Sequence, residues 1–137
     1  MTTITEDPIV MYLVVRESLN MSTGKISAQV GHAVQNLLIN YFKIQIFASK
    51  KNLDILPEES LLKAKITTDW LGHASRKVVL KADDKEWLKL KEHFKDVIII
   101  KDAGFTEVAP GSETVMCLWP MLKSTAPKEI KRLQVLK

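Results

Sequence analysis

The sequence predicts an α/β fold, in which a four-stranded mixed sheet lies between helices in three layers. Two observations lead there. Four short apolar runs have strand length, and segments of helical periodicity alternate with them, the pattern of a layered sheet with helices on its faces. The chain of 137 residues is one domain's worth, with 46% hydrophobic and 26% charged residues, ordinary for a globular protein with a sizeable core.

Met1 to Pro8 reads as a polar, flexible tail. Ile9 to Val15 is an almost unbroken apolar run, suited to a strand covered on both faces and so to a central place in the sheet. Ser22 is a plausible N-cap for a long helix to about Ala48, whose apolar positions include Ile26, Val30, Ala33, Val34, Leu37 and Tyr41. Pro57-Glu58-Glu59 fits a first helical turn, and a short helix to about Lys65 should follow, then a loop from Trp70 to Arg76. Lys77–Lys81 is the second strand. Asp83 or Asp84 caps a helix carrying Trp87, Leu88, Leu90 and Phe94. Val97–Ile100 and Val115–Trp119 are the third and fourth strands, Pro120 ends the fourth, and Pro127–Leu133 forms a last short helix. No repeat or linker divides the chain, so residues 1–137 are expected to form a single domain.

Composition narrows the function. One cysteine, Cys117, supports neither a disulfide framework nor a zinc site, and fits a reducing cytoplasm. No signal peptide is expected, and no apolar run reaches the roughly 20 residues that a membrane span needs. The formal net charge is +4, compatible with a polyanionic partner. His73 and His93 read as loop and surface residues, and no metal site is expected around them.

Three segments carry chemical potential. The twelve residues from Asp102 to Glu113 are too many for a simple hairpin, and they hold a carboxylate, two glycines, a proline and several hydroxyls. Long loops in compact domains are often functional, which draws attention to Asp102, Thr106 and Thr114. Ser22-Thr23-Gly24-Lys25 would open the long helix, where free N–H groups and the dipole favour anions. It resembles the end of a nucleotide-binding loop, but Leu19 replaces the first glycine and Ile26 the hydroxyl residue. Lys25, Gln29 and His32 fall at i, i+4 and i+7 on one helix face; read alone, His32 fits a core histidine bonded to a carbonyl as well as a cleft residue. No Ser-His-Asp order or nucleophile elbow is present. The residues by themselves indicate an α/β domain with a polar, anion-tolerant cleft.

In combination they say more. Met11 to Arg16, Met21 to Ala33, Lys77 to Ala82 and Asp102 to Val115 together closely resemble, in order, the type II peptidyl-tRNA hydrolase family of archaea and eukaryotes. The resemblance implies a dimeric enzyme, without a metal cofactor, that hydrolyses the ester between a peptide and the 3′-terminal ribose of tRNA. By motif position it implies catalytic roles for Lys25, Asp102, Thr106 and Thr114, and substrate contacts by Gln29, His32, Arg16, Gly111 and Ser112. The tRNA would be held by phosphate contacts, with Arg16, Lys43, Lys50, Lys51, Lys63, Lys65 and Arg76 as candidates. The segment from Phe47 to His73, Leu118-Trp119-Pro120 and the last seven residues depart from the family pattern.

Overall fold

The computed structural model describes residues 7–50, 56–104 and 108–137. In order, β1 is Ile9–Arg16, α1 Thr23–Ser49, α2 Glu58–Leu71, β2 Lys77–Ala82, α3 Asp84–His93, β3 Ile98–Lys101, β4 Glu113–Cys117, β5 Met121–Leu122, α4 Lys128–Lys131 and β6 Gln134–Val135. The sheet order is β3-β4-β1-β2-β6, with β5 also paired to β1. β1 and β2 run parallel, from Met11 opposite Lys77 to Arg16 opposite Ala82. β4 is antiparallel to β1, and β3 is antiparallel to β4. β3 therefore points the same way as β1, and the start of α1 and the end of β3 share one edge of the sheet.

The predicted three layers are present, with period-two alternation along β1 sorting them. Val10, Tyr12 and Val14 join Trp87, Leu90 and Ile130 on the side of α3 and α4. Met11, Leu13 and Val15 join Ala33, Leu37 and Trp70 on the side of α1 and α2. Both faces of β1 are buried, as its continuous apolar run required.

Four strands were expected and six are found among the described residues. The two additions, β5 and β6, have two residues each and so carry no readable period. β4 stops at Cys117, short of the expected Trp119 and Pro120, and the chain resumes pairing just beyond the proline: Met121 and Leu122 lie opposite Val10 and Ile9. Asp7 and Pro8 are tied down where a flexible tail was expected. Asp7 accepts the backbone N–H of Ser124 at 2.9 Å, and the carbonyl of Pro8 accepts that of Lys123. Residues 1–6 of that tail lie outside the described residues. α2 runs on to Leu71, past the expected stop, because Trp70 is buried in the core and its indole N–H reaches the carbonyl of Arg76. Asp83 rather than Asp84 caps α3, in a reciprocal capping box with Glu86, an arrangement that stabilises a helix by about 1 kcal/mol.

Candidate active site

The site is built where α1 begins and β3 ends. The Ser22 side chain accepts the backbone N–H of Lys25, fixing the first turn of α1. That turn contains no acid. The Lys25 ammonium is ion-paired with the Asp102 carboxylate, 77 residues away in sequence. Their side chains are only 11% and 3% exposed. Leaving one member of such a buried pair alone costs about 3–5 kcal/mol.

Asp102 is held on several sides. Its other carboxylate oxygen accepts the N–H of Gly104 at 2.7 Å. Its backbone N–H donates to the carbonyl of Ser112, and its carbonyl accepts the N–H of Gly111. The neck of the long loop is thereby closed beneath the carboxylate. Gly104 has φ +91°, and a Cβ there would meet Pro110 Cγ at 2.5 Å, so only glycine fits.

A second polar pair lies beneath the first. The buried stripe of α1 is Gln29, Ala33, Leu37 and Tyr41, spaced by fours. Gln29, its polar member, donates from Nε2 to Thr114 Oγ1 at 2.9 Å. The Thr114 hydroxyl in turn donates to the carbonyl of Ile100 at 3.0 Å. Thr114 is fully buried. It is also the extra residue of a bulge, since Val115 lies opposite Ile100 and Glu113 opposite Lys101, and bulges re-aim neighbouring side chains. On the other face of the sheet Glu113 accepts from Trp87 Nε1 at 3.0 Å and from Lys91 Nζ at 2.9 Å. The Trp87 hydrogen bond, with the Lys91 ammonium, holds its carboxyl below the ordinary value of 4.5.

A cleft of about 430 Å³ opens beside Lys25 and Asp102. One wall is the α1 stripe Lys25, Gln29, His32 and Asn36; the other is the strand from Ile99 to Ala103. His32 is exposed along this cleft, not folded into the core. Asn36 was not anticipated, although it extends the 25-29-32 stripe by one further turn. The Gly104 N–H was missed as well, because a backbone donor leaves no trace in side-chain identity.

The other expected site residues are placed as follows. Gly111 and Ser112 meet Asp102 through their backbones. Arg16, at the end of β1, donates to Asp84 at 2.9 Å. Arg76 precedes β2 and sits at the opposite edge of the sheet from Asp102. Lys63 is ion-paired with Glu59 and Asp96. Thr106 and Lys51 lie outside the described residues. Cys117 is buried in the sheet, which pushes its thiol up to about 12. Among the described residues, no group of three or more His, Cys, Asp or Glu is arranged to hold a metal ion. No helix among them is long and apolar enough to cross a membrane.

A bovine protein, "Peptidyl-tRNA hydrolase 2, mitochondrial", is 38% identical over 80% of this chain and 54% of its own length. The chain thus spans about half the length of that relative, and the same holds for its human counterpart. The Thermoplasma acidophilum "Peptidyl-tRNA hydrolase" is 31% identical over 80% of this chain and 83% of its own. The Methanococcus maripaludis protein of the same name is 30% identical over 90% and 96%. The sequence profile described as "Peptidyl-tRNA hydrolase PTH2" matches residues 9–136, which takes in every element from β1 to β6, so the chain belongs to the peptidyl-tRNA hydrolase PTH2 family.

Proposed function

We propose that the protein hydrolyses the ester between a peptide, or an N-blocked amino acid, and tRNA. The observation that carries the reading is the buried Lys25–Asp102 pair opening onto a cleft at the carboxyl edge of the sheet, in a chain of this family. Ligand sites of α/β sheets gather at that edge. In this mechanism Asp102 takes a proton from a water molecule as its oxygen attacks the ester carbonyl. Lys25 has three N–H donors and uses one on Asp102, leaving others for the developing oxyanion. Collapse of the tetrahedral intermediate releases the ribose oxygen, which takes up the proton. For Thr106, outside the described residues, the reading keeps the catalytic role that the resemblance implies.

The tRNA is held by exposed cations such as Lys43, Lys50 and Lys65, and binding is sensitive to salt. A homodimer is part of this reading, supported by the exposed apolar side chains Ile39, Phe42, Ile46 and Phe47 on α1. So is a cytoplasmic location, supported by the lone, buried cysteine.

The test is release of the acyl group from N-blocked aminoacyl-tRNA. Asp102→Asn should lower turnover about 10²- to 10⁴-fold, the usual worth of a general base, with the secondary structure kept by circular dichroism and the melting temperature lowered, since Lys25 loses its buried counter-charge. Turnover near wild type in that variant would remove Asp102 from the mechanism.

A further inference from the structure

β3 is the last strand of the sheet. β4 covers one of its edges, and among the described residues no strand covers the other. Neighbouring residues of a strand turn their peptide groups to opposite edges. The Ile100 carbonyl accepts from Thr114 on the β4 side, and Asp102 exchanges backbone bonds with Gly111 and Ser112 on that same side. The extra residue of the bulge belongs to β4, so the alternation along β3 is unbroken. The N–H and C=O groups of Ile99 and Lys101 therefore face the open edge. Such an edge is a ready template for another extended chain.

This edge is not remote from the chemistry. Ile99 to Asp102 form one wall of the cleft that ends at the Lys25–Asp102 pair. From Ile99 to Asp102 is three steps of about 3.3 Å, or roughly 10 Å. That length, with a cavity of about 430 Å³, suits about three residues of extended peptide.

We propose that the open edge of β3 binds the peptide part of the substrate as an added parallel strand, hydrogen-bonded to the main chain of Ile99 and Lys101. The proposal rests on the esterase reading above and says where the peptide lies. Its direction follows from the reaction. The scissile carbonyl is the C-terminal end of the peptide and must reach Asp102, at the C-terminal end of β3. The residues leading to it then run alongside β3 in the same sense. Main-chain bonds are common to all sequences, so this mode accepts peptides of any composition. The tRNA is a poorer occupant of the same channel: Lys25 is already ion-paired with Asp102, the rest of the helix wall is Gln29, His32 and Asn36, and Lys101 is the one further cation of the lining among the described residues.

The test uses the wild-type protein and alters only the substrate. One tRNA is charged with an N-acetylated amino acid, with an N-acetylated tripeptide, and with the same tripeptide carrying a single backbone N-methyl group at each residue in turn. KM for the tripeptide should be about tenfold below that for the single amino acid, the usual worth of one or two main-chain hydrogen bonds. N-methylation should restore the higher KM at alternate residues only, because alternate N–H groups face β3. Changing the upstream side chains should move KM less than twofold. Turnover with no effect of N-methylation, or with equal effects at every residue, would overturn the strand mode and leave the esterase reading standing. Failure to hydrolyse any of the substrates would overturn both.

Discussion

Thr114 has one hydroxyl proton, and that proton is donated to the carbonyl of Ile100 while the oxygen accepts from Gln29. Through these two bonds Thr114 ties β3, β4 and α1 together. Thr114→Val would leave the buried Gln29 amide without its acceptor, at a cost of about 1–3 kcal/mol. Chemical denaturation should show that loss, and Thr114→Ser should recover most of it. A nucleophilic threonine would differ in turnover: the still-folded valine variant would lose all of it. Glu113 offers a pH test on the opposite face. Its folded-state pKa is depressed below 4.5, so its stabilising contribution is complete above that value and is lost as pH falls through the folded value. Acid unfolding should be steeper in wild type than in Glu113→Gln over the range below about pH 4.5, measured by thermal melts at stepped pH.

At the scale of elements, α1 does two jobs with two faces. Its stripe of Gln29, Ala33, Leu37 and Tyr41 is buried against the sheet and α2. Ile39, Phe42 and Ile46 are between 41% and 53% exposed. A contiguous apolar patch of this kind marks an interaction surface more often than a solvated one. Phe42→Glu should shift the protein from dimer to monomer in sedimentation velocity, with little change in melting temperature of the monomer. A wild-type protein that is monomeric at tens of micromolar would refute the homodimer.

For the whole molecule, charge is distributed unevenly in its availability. Several cations near the active edge are already matched: Arg16 with Asp84, Lys81 with Glu17, Lys91 with Glu113. On the proposed function, affinity for tRNA would depend on fewer free cations than the 20 Lys and Arg of the sequence. With about three phosphate contacts, raising salt from about 50 to 200 mM should weaken binding roughly thirtyfold, read by filter binding. A salt-independent affinity would exclude the phosphate-dominated mode.

What the sequence determined by itself is local. The apolar run of β1, the Ser22 cap and the helical spacing of α1 are consequences of neighbouring residues, and each formed as read. The ingredients of the site were also legible, because Lys25 and Asp102 sit in two long family motifs. Tertiary structure decided how they meet. The pairing of Lys25 with Asp102 depends on β1 and β3 running parallel across an intervening β4, which no local pattern encodes. The burial of Thr114 depends on a bulge that exists only against its partner strand. The open edge of β3 depends on strand order, a property of the assembled sheet: hydrogen-bond partners, unlike side-chain periodicity, are chosen between segments far apart in the chain.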